Sequence, residues 1–358
     1  MIFIAGMTIA VFFEFLLIGK KNKSRPEIIL ILWMFLITLH LFIFYLWYSE
    51  EIYHYPFLLG VSYPFPLLHG VFLYLYVGTL TNQLPKRKTF LILHAFPAVV
   101  MYLFLIPFFV LSADEKISIF KSLGAGYELF RTISTFAVSV SGIVYIVWSS
   151  LLLRNHRRRI LDRFSYQHKI DLQWLQILTW GMGGIWLLVL FTNDTVIFMG
   201  VVVFVFMVGF FGIRQARIFP ATTEPMQEDE VKEKYAKSGL SDEQAERLYR
   251  ELTRLMTGES MYKKSELSVD DLATRLNVHS NTLSQVINEK AEKNFYDFVN
   301  HYRLEEFKRM VSDPKNRNLT LMSLAFDCGF NSKSSFNRHF KKITGQTPSE
   351  YIASVNTP

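Results

Sequence analysis

The sequence predicts an all-α protein in two parts: a polytopic bundle of transmembrane helices, followed by a soluble all-α domain with two helix-turn-helix units. Three observations support this fold class. Hydrophobic residues make up 51% of the 358 residues, and nearly all of the long apolar runs precede residue 213. The residues after 214 have the composition of an ordinary soluble protein, and a pattern of apolar and capping residues occurs there twice. The two parts therefore fold in two different solvents, lipid and water.

The apolar runs before residue 213 have the length of membrane spans. A spanning helix needs roughly 20 apolar residues, because the hydrocarbon core is about 30 Å thick. Seven segments approach this length, and they are 2–19, 28–48, 57–80, 89–111, 127–153, 172–192 and 195–213. Lysines follow the first segment where a signal peptide would have a small-residue cleavage site, so we count it as a span. Residues 1–213 are predicted to form a seven-span membrane domain.

Positive charge alternates between the connecting loops. The first, third and fifth loops contain the clustered cations Lys20, Lys21, Lys23, Arg25, Lys86, Arg87, Lys88, Arg154, Arg157, Arg158, Arg159, Arg163 and Lys169. The second and sixth loops contain no lysine or arginine, and the two lysines of the fourth loop are balanced by two acidic residues. Because cationic loops stay in the cytoplasm, we expect a multi-pass protein of the bacterial cytoplasmic membrane. Its N-terminus lies outside and its C-terminal domain in the cytoplasm, with membrane lipid around the spans.

Ionisable side chains within the predicted spans are candidates for sensing, because they are costly in lipid and often functional there. They are Glu14, His40, His69, His94 and Arg131. Pro64 and Pro66 remove backbone donors just before His69, which favours a kink and a cavity at that place. These residues would detect an unidentified small molecule or envelope signal. The alternative is structural: side chains that reach the membrane interface or bond a neighbouring helix.

Residues 214–239 predict a linker, since they contain two prolines and mixed charge without an apolar period. An amphipathic helix follows from Leu240. Ser241 and Gln244 have the spacing of a capping box, and apolar residues then recur every three or four positions as Ala245, Leu248, Leu252, Leu255 and Met256. This apolar face either packs on the domain of residues 240–358 or forms a homodimer.

An internal repeat predicts two helix-turn-helix units, at about 268–290 and 320–343, with a connecting helix at about 295–311. The offset between matched residues is 52 at first and 53 after one inserted residue. Matched pairs are Ser268 with Thr320, Leu272 with Leu324, Asn277 with Gly329, Leu283 with Phe336 and Ile287 with Phe340. The first pair has the chemistry of helix caps, and the third tolerates the left-handed conformation of a sharp turn.

The second helix of each unit has a short, polar outer face that suits a DNA major groove about 12 Å wide. From Leu240 onward, 17 Lys and Arg stand against 16 Asp and Glu. The domain is therefore nearly neutral as a whole, and a basic surface for DNA must come from where its cations lie. Lys341 and Lys342 follow the second recognition helix and are candidates for phosphate contacts. The lone Cys328 excludes an intramolecular disulfide and a cysteine-pair zinc site. No catalytic motif was found, so neither enzyme activity, a cofactor nor a metal is expected.

Three segments resemble the AraC/XylS family of bacterial transcription regulators: LATRLNVHSNTLSQVIN, NHYRLEEFKRM and LAFDCGFNSKSSFNRHFKKITGQTPSEY. The resemblance covers roughly residues 265–353. The stretch PLLHGVFLYLYV is similar, more weakly, to a branch that attaches this domain to a membrane bundle. The resemblance implies that the two recognition helices read double-stranded DNA in successive major grooves. The implied base-facing residues are Asn281, Ser284, Gln285, Lys333, Ser334, Asn337 and Arg338.

Two positions depart from the family pattern. Gln285 stands where the family often has arginine, so the first helix is expected to read adenine or to add little specificity. Glu292 stands where glycine is common, so its helix is expected to end differently. The whole sequence is interpreted as a membrane-embedded one-component regulator. The alternative is a receptor or transport protein whose C-terminal domain binds proteins, but the polar recognition face favours DNA.

Overall fold

The computed structural model describes residues 1–85, 87–166, 172–215 and 240–355, which are helical with no β-strand. The described chain divides into two compact units. The first contains residues 1–154 and 172–215, and the second contains residues 155–166 and 240–355. Most of the predicted linker, residues 216–239, lies outside the described residues.

The described part of the first unit consists of nine helices, most of which lie within the predicted spans, whereas the sixth lies in the predicted fourth loop. In chain order they are α1 (Ile2–Ile18), α2 (Arg25–Tyr48), α3 (Phe65–Leu80), α4 (Lys88–Leu93), α5 (Phe96–Phe109), α6 (Ala113–Lys121), α7 (Glu128–Arg163), α8 (Gln173–Phe191) and α9 (Asp194–Gln215). Helix α2 packs against α1, α3 and α9, and α8 packs against α9. The core between them centres on Trp33, Met34, Leu41 and Tyr74, each no more than 1% exposed.

Four of these helices, α2, α7, α8 and α9, are long and apolar enough to cross a membrane by length and composition. A fifth becomes possible if α5 and α6, which are bent by 114° relative to each other, count as one span. Helices α1 and α3 are shorter apolar helices of 17 and 16 residues. Several apolar helices that can span a membrane are therefore present, while seven complete spans remain a prediction.

The third predicted span, 57–80, is wrong as a continuous helix. Glu51–His54 and Pro56–Leu58 form short 3-10 turns, and the α-helix begins only after Pro64, which lies at its N-cap. Proline lacks the N–H that a helix interior requires, so the helix starts there. Sixteen residues rise about 24 Å, which is short of the hydrocarbon core of about 30 Å.

The second unit contains seven helices among its described residues. They are α10 (Asp242–Gly258), α11 (Val269–Arg275), α12 (Ser280–Ala291), α13 (Phe295–Ser312), α14 (Leu321–Asp327), α15 (Lys333–Thr344) and α16 (Pro348–Val355). Helices α11 and α12 form the first helix-turn-helix and α14 and α15 the second. The C-terminal end of α7 belongs to this unit from residue 155 onward.

Helix α10 packs its apolar face on the first helix-turn-helix. Leu248, Leu252 and Met256 are at most 6% exposed and lie in one cluster with Leu272 and Leu283. The predicted capping box is present, since the Ser241 N–H donates to Gln244 Oε1 and the Gln244 N–H to Ser241 Oγ. Packing on the domain thus accounts for this face, and a homodimer remains a prediction.

The connecting helix α13 contributes to both apolar cores of the unit. Its first half supplies Phe295, Phe298 and Val299 to the cluster of the first helix-turn-helix. Its second half supplies Leu304 and Phe307 to the cluster of the second. A single rigid helix with buried residues along its length holds the two helix-turn-helix units at a defined separation.

The turns of the two repeats have the predicted geometry. Asn277 has φ +51° and Gly329 has φ +96°. A side chain at residue 329 would place its Cβ 2.5 Å from the Tyr262 carbonyl oxygen, so only glycine fits. The expectation for Glu292 is wrong, because α12 ends on it with φ +52°. That is the left-handed conformation which Gly345, its equivalent 53 residues later, adopts with φ +76°.

Candidate nucleic-acid interface

The first recognition helix, α12, buries one face and exposes the other. Leu283, Val286 and Ile287 are at most 1% exposed. Among the predicted base contacts, Asn281 and Gln285 are exposed and Ser284 is half-buried. The Gln285 side-chain amide donates to Glu289 Oε1 over 2.8 Å, so a carboxylate lies beside the position predicted to read a base.

The second recognition helix, α15, begins with Ser332, whose Oγ accepts the backbone N–H of Ser335. Phe336 and Phe340 are at most 1% exposed and anchor its inner face. The predicted base contacts are all exposed, and they are Lys333, Ser334, Asn337 and Arg338. The spacing i, i+1, i+4, i+5 places them on one stripe of the helix surface. This stripe combines cationic, amide and hydroxyl groups, which are the side chains that hydrogen-bond base edges and phosphates.

Contacts between α13 and α15 fix the orientation of the second recognition helix. The Tyr296 hydroxyl lies 3.0 Å from Ser335 Oγ in a buried contact. Lys342 Nζ donates to both carboxylate oxygens of Asp297 at 2.9 and 2.8 Å. Lys342 thus has a partner within the domain, which reduces the charge that it offers to a phosphate. Lys341, the other predicted phosphate contact, is exposed at the same end of the helix.

His339 lies beneath this surface and is only 2% exposed. Burial lowers the pKa of its imidazole to about 4, although Asp297 opposes the shift. Its Nδ1 lies 3.8 Å from Asp297 Oδ1, and its buried Nε2 has no hydrogen-bond partner among the described residues. His339 is therefore neutral at physiological pH and acts as a core residue of α15.

Arg303, on the connecting helix, is only 1% exposed, and the sequence patterns did not predict a role for it. Its Nε donates to the Tyr262 carbonyl at 2.7 Å and its Nη2 to the Lys264 carbonyl at 2.7 Å. Its Nη1 donates to Asn300 Oδ1 at 3.1 Å. Burial lowers its pKa to about 9. The sequence feature that could have identified Arg303 is its position as an arginine within the apolar stripe of α13.

Two further acceptors of Arg303 belong to Ser165, in the fifth predicted loop. Ser165 is 1% exposed. Its carbonyl accepts from Arg303 Nη1 and its Oγ from Arg303 Nη2, each at 3.1 Å. The Ser165 N–H and hydroxyl both donate to the Leu267 carbonyl, at 3.0 and 2.8 Å, and Asn300 Nδ2 donates to the Ser165 carbonyl at 3.2 Å. Residue 165 is thus built into the junction between the first helix-turn-helix and the connecting helix.

The same segment reaches a predicted base contact. Ser284 Oγ donates to the carbonyl of Asp162, the penultimate residue of α7, at 3.2 Å. Phe164 forms an isolated antiparallel bridge with Ser268, the N-cap of α11. We call residues 155–166 the docking segment. It contacts the first recognition helix through Ser284.

The candidate sensing residues of the first unit fall into separate contacts. His40 Nδ1 and His69 Nε2 lie 3.0 Å apart, and Trp33 Nε1 donates to His69 Nδ1 at 3.3 Å. Glu14 Oε1 accepts from Thr38 at 3.1 Å, His94 Nδ1 lies 2.8 Å from the Tyr145 hydroxyl, and Arg131 donates to the Leu123 carbonyl. The structure therefore joins His40 with His69 and leaves the other three apart. Among the described residues, no three His, Cys, Asp or Glu side chains form a group that could hold a metal.

Comparison with known proteins agrees with this geometry. Residues 272–354 match a family described as a helix-turn-helix domain, a range that includes both recognition helices and the connecting helix. Residues 272–354 therefore form a helix-turn-helix domain.

Two curated bacterial proteins are similar to the same region. Over 87 residues the chain is 32% identical to YijO of Escherichia coli K12, described as an uncharacterized HTH-type transcriptional regulator; the match covers 24% of this chain and 30% of YijO. Over 88 residues it is 28% identical to YtdP of Bacillus subtilis 168, described in the same words, with 25% of this chain and 11% of YtdP covered. The chain thus spans less than a third of the length of these relatives. No solved structure matches it.

Proposed function

We propose that this protein is a membrane-embedded, sequence-specific transcription regulator that binds double-stranded DNA and passes a signal from its membrane unit to its DNA-binding domain. The observation that supports DNA binding is the pair of recognition helices, each with a buried apolar face and an exposed polar face, joined by the rigid helix α13. A polar stripe that includes Arg338 suits base edges and phosphates. A protein-docking surface would instead be apolar at its centre.

The base contacts are proposed residue by residue. Arg338 reads guanine, since its two forked donors match the O6 and N7 acceptors of that base, and Asn337 reads adenine by donating and accepting. Lys333 and Lys341 contact phosphates. Gln285 contributes less than Arg338, because Glu289 already accepts one of its amide protons and places a negative charge near the DNA.

The membrane location rests on two independent features. Four described helices have the length and hydropathy of spans, and the loop cations alternate in the manner of the positive-inside rule. With loops 1, 3 and 5 on the inside, the DNA-binding domain lies in the cytoplasm. DNA is present on that side of the membrane, so both halves of the proposal require the same orientation.

The docking segment is the proposed path of the signal. It comes from the chain between the fifth and sixth predicted spans, yet it packs within the DNA-binding unit through Ser165. While the Ser284 hydroxyl donates to the Asp162 carbonyl, it cannot also donate to a base, because it has a single O–H. We therefore propose two states, one with the docking segment on the first recognition helix and one with that helix free for DNA. A signal that favours one state shifts DNA occupancy.

The test is to sequence the DNA that the full-length protein binds in cells, and then to measure its affinity for the site found. Purified protein in lipid nanodiscs should bind that site at least 1,000-fold more tightly than scrambled DNA, the lower end of about 10³ to 10⁷ for specific regulators. Arg338→Ala should lose most of this preference, whereas Arg317→Ala, an exposed arginine outside both recognition helices, serves as the matched control. Equal affinity of the wild type for both DNAs would contradict the proposal.

A further inference from the structure

The first unit encloses a cavity of about 530 Å³. This volume is within the range of roughly 300 to 1,000 Å³ of sites for drug-sized ligands. Its walls come from α2, α3 and α5 to α9, and most lining side chains are apolar or aromatic, such as Phe44, Phe108, Trp186 and Phe204. His40 and His69 line the same cavity. An apolar chamber with a few polar groups is the usual form of a small-molecule site.

The polar groups of the cavity form a chain with a fixed direction. The Trp33 indole N–H can only donate, so His69 Nδ1, 3.3 Å away, must accept. A neutral imidazole then carries its proton on Nε2, and His69 Nε2 donates to His40 Nδ1 at 3.0 Å. By the same rule the proton of His40 is on its Nε2. Both imidazoles are taken as neutral, because no carboxylate bonds to either in the described residues and an unpaired buried charge is costly.

The end of this chain is an unused donor. His40 lies edge-on to Phe65 and Phe198, with ring centroids 5.5 and 4.8 Å away. Nothing in the described part of the chain accepts a hydrogen bond from its Nε2. Its side chain is half-buried, although it lies in the middle of α2. A donor that faces an apolar chamber favours an occupant with an acceptor, because an occupant without one would bury this donor unsatisfied, at a cost of roughly 1 to 3 kcal/mol.

The charged side chains that line the cavity, Arg131 and Asp194, are exposed and belong to the first turns of α7 and α9. Charge is thus confined to the open end of the cavity, and it includes both signs. Leu123, which also lines the cavity, lies in the fourth loop, which is predicted to face outside. A carboxylate at the deep end would have two neutral imidazoles and no cation, which disfavours an anionic group there.

We propose that this cavity binds a predominantly apolar small molecule with one neutral oxygen acceptor, such as a long-chain ketone. Its oxygen accepts from His40 Nε2, and its apolar body fills the aromatic chamber. The molecule enters from the side of the membrane opposite the DNA-binding domain. This site rests on the proposed membrane location, but it does not depend on DNA binding.

The test uses full-length protein in nanodiscs of an ether-linked phosphatidylcholine, a lipid without a carbonyl of its own, and 2-undecanone as the probe. The infrared carbonyl band of the ketone should contain a component at lower wavenumber, because the carbonyl is hydrogen-bonded, and this component should saturate near one ketone per protein. The alkane n-undecane has no oxygen acceptor, so at a concentration equal to that of the ketone it should displace only a minor part of the bound ketone. The apparent affinity should fall about tenfold in His40→Phe, the value of one hydrogen bond of about 1.4 kcal/mol.

Matched variants separate the binding site from general damage. His94→Phe removes a histidine that does not line the cavity and should bind the ketone as the wild type does. His40→Gln keeps an N–H donor and should restore part of the affinity. Val138→Phe fills the chamber from a lining position and should abolish ketone binding. It tests the same cavity independently, in case His40→Phe does not fold.

Three results would overturn the site: no shifted band with folded wild type, a band that never saturates, or equal competition by n-undecane. In the second case the ketone dissolves in lipid only, and in the third the oxygen contributes nothing. A protein that cannot be incorporated into nanodiscs contradicts the membrane location and the site together. Failure to bind DNA leaves the binding result unaffected, because no DNA is present in this experiment.

Discussion

Replacement of Ser165 by alanine tests whether the docking segment restrains DNA binding. Ser165 is 1% exposed, and its hydroxyl makes two hydrogen bonds. It donates to the Leu267 carbonyl at 2.8 Å and accepts from Arg303 Nη2 at 3.1 Å. The backbone bonds of residue 165 to Leu267, Asn300 and Arg303 do not depend on the side chain. Ser165→Ala therefore weakens docking without removing it.

The size of the effect follows from these two bonds. A neutral hydrogen bond contributes about 1 kcal/mol net, and one to a charged group about 1.5 to 3 kcal/mol. Arg303 Nη2 keeps a second acceptor, the Lys264 carbonyl at 2.7 Å. We therefore assign the lost bond between Ser165 Oγ and Arg303 the lower end of the range for a charged group. We expect the docked state to lose about 2 kcal/mol, which is roughly a 30-fold shift of its equilibrium. DNA affinity should rise by up to that factor if the docked state predominates.

The assay is fluorescence anisotropy of a labelled operator fragment titrated with full-length protein in nanodiscs. Hydrogen exchange of the Ser165 amide, measured on the same samples, should become faster in Ser165→Ala. Ser312→Ala is the control, because Ser312 is exposed and its hydroxyl only donates to the Lys308 carbonyl. Faster exchange with unchanged or weaker DNA binding would refute competition between docking and DNA. Unchanged exchange would show that the hydroxyl bonds are worth far less than estimated.

The other predictions concern the DNA-binding unit. Arg338→Ala should weaken specific binding by roughly 1 to 3 kcal/mol and relax the preference at one base pair; a uniform loss over all sequences would reassign Arg338 to the phosphates. Lys342→Ala should weaken all sequences alike and reduce the salt slope by at most about one unit, since Asp297 already pairs with it; a sequence-dependent loss would be inconsistent with that role. Glu292→Gly should raise the free energy of unfolding by about 1 kcal/mol in urea titrations, because glycine has no penalty in the left-handed conformation. An unchanged free energy of unfolding would mean that contacts of the Glu292 side chain offset this backbone penalty. The pKa of His339 is about 4 in the folded state, below the ordinary histidine value of about 6.5. Its neutral imidazole therefore contributes fully to stability above pH 6.5, and this contribution is lost as the pH falls towards 4. At pH 5 the free energy of unfolding of the wild type should have fallen by about 2 kcal/mol relative to His339→Leu, and parallel pH profiles of the two proteins would contradict the prediction.

Local structure was readable from the sequence, because it depends on residues a few positions apart. The caps Ser241, Ser268 and Thr320 accept the backbone bonds that their spacing predicts. The left-handed turns at Asn277 and Gly329 follow from side-chain sterics alone. The polar stripe of α15 follows from helical periodicity, so the exposure of its candidate residues was predictable. Their contacts with bases stay a prediction, since they depend on DNA.

The tertiary structure decided the features that join distant parts of the chain. Glu292 adopts the left-handed conformation although its type disfavours it, since the turn between α12 and α13 repeats the geometry at Gly345. Lys342 meets Asp297 across 45 residues, and Arg303 meets Ser165 across 138. No periodicity encodes such pairs, because they form only when two helices have already packed. The sequence by itself determined where the capped helices of the DNA-binding unit begin, which face each one buries and which half of the chain is apolar. Packing decided that Ser165 completes the hydrogen bonds of a buried guanidinium and that His40 ends a directed hydrogen-bond chain in a cavity.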